Sequence, residues 1–114
     1  MLYNNIPCLT QNGVLIPIIN KIVAPFDSEP NDFQHAINAP STQEWCIIFY
    51  YKNIIDDILS NNNWQPINST FYWSSSIYQF SKSNDDALYV HTFFGNIYTA
   101  KISEKFPIRN LITP

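Results

Sequence analysis

Phe71-Tyr72-Trp73-Ser74-Ser75-Ser76 gives the strongest indication of the fold class. The surrounding segment Thr70–Tyr78 combines aromatic and β-branched residues with serines, a composition that favours a strand over a helix. Two more strand-like segments follow, Ala87–Phe94 and Ile97–Ile102, and Gly95-Asn96 between them is typical of a tight hairpin turn. We therefore predict an antiparallel meander in this half of the chain.

Two helices are predicted upstream of the meander. Ser41 precedes Glu44 by three residues, which is the spacing of a capping box, and Trp45 starts an apolar helical face that continues through Ile48 and Phe49. A second amphipathic helix is predicted over Asn53–Leu59. Its apolar stripe comprises Ile54, Ile55, Ile58 and Leu59, with Asp56 and Asp57 facing water.

The N-terminal part of the chain shows weaker patterns. Residues 1–12 predict an irregular arm, because the apolar residues before Leu9 follow no period and are interrupted by Pro7. Gly13–Asn20 is rich in β-branched residues and predicts a strand. Pro17 donates no ladder hydrogen bond, which indicates a sheet edge or a bulge, and we predict an N-terminal edge strand. Ala24–Pro30 predicts a loop, and Asn31–Asn38 predicts two helical turns with Phe33 and Ile37 on one face.

Composition limits the classes of partner. The chain has 114 residues, which fits one domain spanning 1–114. Charged residues make up only 13% of it, and the net charge of −3 includes no basic cluster, so we expect no nucleic-acid partner. The apolar runs are too short to span a bilayer, and the N-terminus lacks the basic and apolar regions of a signal peptide. We therefore expect no membrane insertion.

Residue chemistry gives little support for catalysis or metal binding. His35 and His91 stand in no metal-binding spacing, and Cys8 and Cys46 form no Cys-x-x-Cys motif. The cysteines are compatible with one disulfide or with two buried thiols. Two glycines are too few for a phosphate-binding loop or a nucleophile elbow. We therefore expect no enzyme activity, no metal and no cofactor.

Several motifs occur in a fixed order along roughly the last three-quarters of the chain. They are Ala39-Pro40-Ser41-Thr42-Gln43-Glu44-Trp45, Ile54–Leu59, Phe71–Ser76, Ala87-Leu88-Tyr89-Val90, Gly95-Asn96, Lys101 and Ile108-Arg109. In this order they resemble a bacterial family, the DUF1566-like group, also seen as the Fibrobacter-type paralogous domain. Its members share a C-type-lectin-like fold with the variable proteins of diversity-generating retroelements.

The resemblance implies an α+β, C-type-lectin-like fold with a small antiparallel sheet, two helices, long irregular loops and paired N- and C-terminal strands. Gly13–Asn20 and Ile108–Ile112 are the candidates for that pair. A structural role is implied for Trp73, which would fill the core, and for Ser74 and Ser75, which would bond to neighbouring backbone. Arg109 would pair with an acid such as Glu44 or donate to loop carbonyls.

The resemblance also implies where a ligand would bind, because variable positions in the retroelement proteins follow the serine-rich strand and flank the glycine turn. Phe93 and Phe94 are consecutive, so a strand would bury only one; they either pack in the core or form an exposed apolar tip suited to contacts. The candidate ligand-binding residues are Ile77, Tyr78, Gln79, Phe80, Lys82, Asn84, His91, Phe93, Phe94, Asn96, Tyr98, Thr99, Ser103 and Lys105.

These features together predict a non-catalytic recognition or adhesion module that binds a protein or glycan ligand through a polar and aromatic surface. The resemblance extends this to a retroelement-diversified variable protein that is secreted or displayed on a cell surface or virion. The alternative is a structural subunit of a surface appendage or virion that self-associates. A lectin-fold enzyme of the formylglycine-generating type is a third class, although those enzymes are much longer.

Overall fold

The computed structural model describes residues 5–78 and 85–114 and has an α+β fold, in which two helices pack with antiparallel sheets. The α+β class predicted from the sequence is confirmed. The helices are α1 (Thr42–Tyr50) and α2 (Lys52–Asn61), preceded by a 3-10 helix at Phe33–His35. The strands are β1 (Cys8–Thr10), β2 (Gly13–Ile16), β3 (Lys21–Val23), β4 (Ser28–Asn31), β5 (Phe71–Ile77), β6 (Asp86–His91), β7 (Asn96–Lys101), β8 (Phe106–Ile108) and β9 (Leu111–Ile112).

The first sheet has the order β1-β2-β3-β9 and corrects three predictions. The arm at residues 1–12 is not wholly irregular, since its end forms β1, held in a hairpin by Thr10 Oγ1 donating to Gly13 O at 2.9 Å. Pro17 does not place β2 at an edge; the strand ends before it and lies between β1 and β3. N- and C-terminal segments do pair, but through β3 and β9 rather than through Gly13–Asn20.

The second sheet pairs β4 with β8. The loop predicted at Ala24–Pro30 therefore ends in a strand, which long-range pairing stabilises despite its weak local propensity: Ser28 lies opposite Ile108, and its hydroxyl donates to Ile108 O at 3.0 Å. The two helical turns predicted at Asn31–Asn38 reduce to the 3-10 helix. Ile37 is exposed, so the predicted apolar face does not form there.

The third sheet is the predicted meander, with the order β5-β6-β7. Its second hairpin closes at the pair His91 and Asn96, so the turn is Thr92–Gly95 rather than the predicted Gly95-Asn96. Gly95 has a φ of 66°, a left-handed conformation that glycine adopts without strain, and its N–H donates to His91 O at 2.8 Å. The single strand predicted over Ile108–Ile112 is interrupted at Arg109 and is divided between β8 and β9.

Helix α1 begins with the predicted capping box: the hydroxyl of Ser41 accepts from Glu44 N–H, and the Glu44 carboxylate accepts from Ser41 N–H. Trp45 and Ile48 are buried, as the apolar face predicted. In α2, Ile55 and Leu59 are buried, while Ile54 is exposed. Asp56 does not simply face water, because it pairs with Lys52 and accepts from Ile67 N–H.

The meander separates two buried clusters. On one face, Tyr72 and Val90 pack with Trp45, Ile48 and the apolar side of α2. On the other face, Trp73, Ala87 and Ile108 form a smaller cluster with partly buried Phe33, Tyr89 and Phe106 around it. Among the helices of the described ranges, none has the length and hydropathy needed to cross a bilayer.

Candidate functional site

One face of the meander carries a continuous cluster of aromatic rings. Residues opposite each other in an antiparallel ladder share a face, so Phe71 and His91, Trp73 and Tyr89, and Tyr89 and Tyr98 are neighbours. From β8, Phe106 packs onto the same face with its ring 4.5 Å from Tyr89 and 4.8 Å from Trp73. We call this surface the aromatic face; it consists of Phe71, Trp73, Tyr89, His91, Tyr98 and Phe106.

The aromatic face extends from the core to the solvent. Trp73 is fully buried and its indole N–H donates to Asn31 O at 2.9 Å, which satisfies its polar atom. Tyr89 is half-buried between Trp73 and Tyr98, and the Tyr98 ring lies 5.6 Å away and is exposed. The exposed rings are therefore supported by a packed interior.

The hairpin tip, Thr92–Gly95, presents two more aromatic side chains beside this face. Phe93 and Phe94 are each 74% exposed, so neither packs in the core. Because both residues lie in the turn, the alternation of inward and outward side chains along a strand does not apply to them. His91 contacts both rings, stacked on Phe94 at 4.9 Å and tilted against Phe93 at 5.8 Å. The hydroxyl of Thr92 donates to Ser69 O at 2.6 Å and anchors the base of the tip.

Neutral polar groups accompany these rings. The amide of Asn96 donates to the Tyr98 hydroxyl at 3.1 Å on the exposed side of the sheet. His91 Nδ1 is buried and has no hydrogen-bond partner within residues 5–78 and 85–114. A charged pair lies at the end of β7, where Lys101 Nζ is 3.3 Å from Asp86 Oδ1. The arrangement combines stacking surface with uncharged hydrogen-bonding groups.

The predicted ligand-binding residues do not form a single surface. Tyr98 belongs to the aromatic face and Asn96 lies on the same side of the sheet, whereas Thr99 lies opposite Leu88 on the other side. Ile77 is exposed at the far end of β5, and Tyr78 beside it is half-buried. Ser103 and Lys105 are exposed in the connection between β7 and β8. Four predicted residues, Gln79, Phe80, Lys82 and Asn84, lie outside the described residues.

The serine-rich part of β5 holds the meander to its neighbours. Ser74 is buried, and its hydroxyl donates to Leu88 O at 2.6 Å and accepts from Ser76 N–H at 3.1 Å. Ser75 bonds through its main chain, with its N–H donating to Pro40 O at 2.9 Å. The predicted bonding of Ser74 to neighbouring backbone is confirmed, while Ser75 contributes its main-chain N–H.

Arg109 is fully buried and organises three segments of chain. Its Nε donates to Asp27 Oδ1 at 2.7 Å. Its terminal nitrogens donate to Ala24 O at 3.0 Å, Gln65 O at 2.7 Å and Pro66 O at 3.0 Å. The predicted bonds to loop carbonyls are confirmed. The prediction that Glu44 is the acid paired with Arg109 is wrong, because Glu44 pairs with Lys21 at 3.1 Å.

Sequence reasoning missed Asp27, whose carboxylate accepts hydrogen bonds from four other side chains. Besides Arg109, the carboxylate accepts from the hydroxyls of Tyr72 at 2.8 Å and Ser69 at 2.7 Å, and from Gln65 Nε2 at 3.1 Å. No local spacing connects Asp27 with residues so distant in sequence. Burial raises the pKa of Tyr72 to about 12, and the neighbouring Asp27 charge acts in the same direction.

Glu44 responds to two opposing influences. Burial disfavours its charge, but the hydrogen bond from Ser41 N–H and the neighbouring Lys21 ammonium outweigh burial, so the pKa of Glu44 lies below its ordinary value. This residue is ionised in the folded protein at neutral pH and acts as part of the scaffold.

Within the described ranges, no three His, Cys, Asp or Glu side chains are grouped so as to hold a metal ion. Cys8 and Cys46 are free and exposed, so they match neither alternative considered from the sequence, a disulfide or two buried thiols. A shallow depression of about 430 Å³ lies beside β1 and the end of α2, lined by Leu9, Thr10, Gln11, Asn62 and Trp64. It involves none of the predicted ligand-binding residues.

Comparison of the chain with protein-family models, with curated proteins and with solved structures found no match.

Proposed function

We propose that the protein is a non-catalytic ligand-binding module that recognises a protein or glycan through the aromatic face and the hairpin tip. The observation that carries this proposal is the 74% exposure of Phe93 and Phe94, directly beside His91 and the packed cluster behind it. Large aromatic side chains held at the surface of a folded domain favour contact with a partner.

The chemistry of the surface supports a neutral ligand. Tyrosine and phenylalanine rings offer wide contact areas and lose little conformational entropy, and short polar side chains such as Asn96 supply adaptable hydrogen bonds. With charged residues at 13% of the chain, electrostatic attraction contributes little to recognition. The ligand would therefore be held by stacking and neutral hydrogen bonds.

We also propose kinship with the C-type-lectin-like fold and with retroelement-diversified variable proteins. The pairing of β3 with β9, the two successive helices and the buried Trp73 support this relationship. A reverse-transcriptase gene beside a near-repeat of the region coding for Tyr72–Arg109 would support diversification. A genomic neighbourhood with neither element would remove the support for diversification.

The triple replacement of Phe93, Phe94 and Tyr98 with alanine tests the proposed function. Wild-type protein is first screened on glycan and peptide arrays to find a ligand. The variant should lose binding to that ligand by at least about tenfold while still unfolding cooperatively, since the three side chains are exposed.

The matched control is Phe26→Ala, which truncates an exposed phenylalanine outside the hairpin. It should bind the ligand as the wild type does. Unchanged binding by the triple variant would show that the ligand is held elsewhere. An equal loss of binding by the control would show that the effect is not specific to the aromatic face.

A further inference from the structure

β7 is a sheet edge without the features that protect the other edges. It runs for six residues, contains no proline, and carries no charge before Lys101. Proteins usually shorten edge strands or place prolines and charges on them, because unpaired backbone groups attract another strand. The other edges in the described chain follow this rule. β1 and β9 are short, with three and two residues, and β4 and β8 each contain a proline, Pro30 and Pro107. β5 has a register shift, and its Ser75 N–H donates to Pro40 O.

Hydrogen bonds on the β5 side identify which backbone groups of β7 point outward. Thr92 N–H donates to Thr70 O and Tyr78 N–H donates to Asp86 O, so the even-numbered residues of β6 direct their backbone groups to β5. Because these directions alternate along a strand, the odd-numbered residues of β6 bond to β7. Their partners there are Asn96, Tyr98 and Ala100.

It follows that the N–H and C=O groups of Ile97 and Thr99 point away from β6, toward the open side. The next outward carbonyl, that of Lys101, accepts from Glu104 N–H at 2.9 Å, which closes this end of the edge. Side chains flank the open stretch on both faces: Tyr98 extends the aromatic face, and Ile97 is exposed on the opposite face. Phe93 and Phe94 stand at the other end of β7.

We propose that an extended peptide segment of a partner protein pairs with β7 as a fourth strand of the meander, bonded to the main chain of Ile97 and Thr99. This inference rests on the proposed function and names the class of its ligand. The backbone of the peptide forms hydrogen bonds with the outward N–H and C=O groups of β7. Its side chains alternate between the two faces, where they contact Tyr98 on one face and Ile97 on the other. Uncharged β-branched residues at alternate positions suit these neighbours.

The length of the edge favours a peptide over a second copy of this chain. Six residues of strand extend about 20 Å. A stable dimer buries on the order of 1,000 Å² or more, and two folded domains meeting only along such a short line cover less than that. A flexible peptide instead bends to reach both faces of the edge and the hairpin tip.

Replacement of Thr99 separates the backbone contribution from that of its side chain. Thr99→Pro removes an outward N–H that β6 does not use, and proline is tolerated at such an edge position, so the fold is retained. Thr99→Ala removes the side chain and keeps the N–H. Circular dichroism melting curves establish that both variants fold.

The probe is the synthetic peptide acetyl-Ser-Val-Thr-Val-Thr-Val-Ser-Lys-Lys-amide, titrated into ¹⁵N-labelled protein. In the wild type, we expect the peptide to slow hydrogen exchange of the Ile97 and Thr99 amides, which bond to no other residue in ranges 5–78 and 85–114 beforehand. We expect Thr99→Pro to bind the peptide about tenfold more weakly than the wild type, the effect of losing one hydrogen bond. Thr99→Ala should bind within about threefold of the wild type.

Unchanged exchange at Ile97 and Thr99 at the solubility limit of the peptide, or equal binding by Thr99→Pro, would overturn the edge proposal. If an array ligand is lost by the Phe93/Phe94/Tyr98 variant but kept by Thr99→Pro, the proposed function stands and the edge proposal fails. If both variants keep that ligand, both fail. Light scattering tests the other occupant. If the wild type is a dimer and Thr99→Pro is a monomer, a second copy of the chain pairs with β7 and the peptide proposal is overturned.

Discussion

Asp27 and Arg109 form a buried ion pair of 2.7 Å between residues 82 positions apart in the chain. Because the guanidinium also donates to three carbonyl oxygens, the pair joins the loop before β4, the segment after α2 and the connection between β8 and β9. Burial of charge is tolerated here because each nitrogen of the Arg109 guanidinium and both oxygens of the Asp27 carboxylate are hydrogen-bonded. This pair fixes the relative positions of elements that bracket the meander.

Arg109→Met should destabilise the protein by about 3–5 kcal/mol, because the Asp27 carboxylate and three loop carbonyls lose their donor inside the protein. Urea denaturation measures the change. The control is Lys21→Met, which breaks the more exposed pair with Glu44 and should cost no more than about 1 kcal/mol. Equal effects of the two substitutions would contradict the assignment of Arg109 as the organising residue.

Stability should fall between about pH 10 and 12 through the titration of Tyr72. The folded-state pKa of Tyr72 is raised to about 12 from an ordinary value of 10.0, so the unfolded chain loses this proton first as the pH rises. The contribution of Tyr72 to the free energy of unfolding is fully present below pH 10 and is lost as the pH rises through the folded-state pKa. It is on the order of 2 kcal/mol. Urea denaturation across this window measures it.

Tyr72→Phe serves as the comparison for that experiment. Phenylalanine does not titrate, so this variant should be less stable at neutral pH through loss of the hydrogen bonds to Asp27 and should lose less stability across pH 10 to 12. Parallel stability curves for the two proteins would show that Tyr72 does not cause the alkaline loss.

Ser41→Ala should destabilise the protein by about 1 kcal/mol, because it removes the oxygen that accepts from Glu44 N–H in the capping box. Thermal denaturation gives the difference. Thr42→Ala removes the adjacent hydroxyl, whose hydrogen bond within the described residues goes to the exposed Gln43 side chain, and should be nearly neutral. A larger effect at Thr42 would argue against the capping box as the source of helix stability.

Gly13 and Gly95 should respond differently to replacement by alanine. At Gly13 a Cβ atom would overlap the main-chain oxygen of Val23, so Gly13→Ala should prevent pairing of β2 with β3 and abolish cooperative unfolding. At Gly95 the nearest atom would be 3.8 Å away, so Gly95→Ala should cost only the left-handed conformation, about 1 kcal/mol.

Gly95→Asn should cost less than Gly95→Ala, since asparagine adopts the left-handed region more readily. Melting temperatures rank the two Gly95 variants, and the presence or absence of a cooperative transition tests Gly13→Ala. A cooperative transition of Gly13→Ala at the melting temperature of Gly95→Ala would contradict the difference in space around the two glycines.

Local patterns predicted the elements whose stabilising contacts are close in sequence. The capping box of Ser41 and Glu44, the burial of Trp45 and Ile48, and the antiparallel meander all follow from spacing and alternation, and the structure contains them. The resemblance supplied the burial of Trp73. These features need little information from the rest of the chain.

Elements made by distant partners were not predictable in this way. β4 has the composition of a loop and becomes a strand only because β8 pairs with it. Asp27 gave no signal, since its partners are contributed by segments brought together by folding. At the candidate site, the exposure of both Phe93 and Phe94 depended on the turn starting at Thr92 rather than at Gly95.

Contacts between segments far apart in the sequence limit how fast the protein folds. The meander forms from neighbouring segments, but Val23 meets Leu111, Ser28 meets Ile108 and Asp27 meets Arg109 only after a long loop is closed. Loop closure of this kind slows folding to milliseconds or longer. We expect the β7 edge to be assembled during that interval, before the remote strands pair. Dilute refolding should therefore recover more monomer than concentrated refolding, with association beginning at this strand.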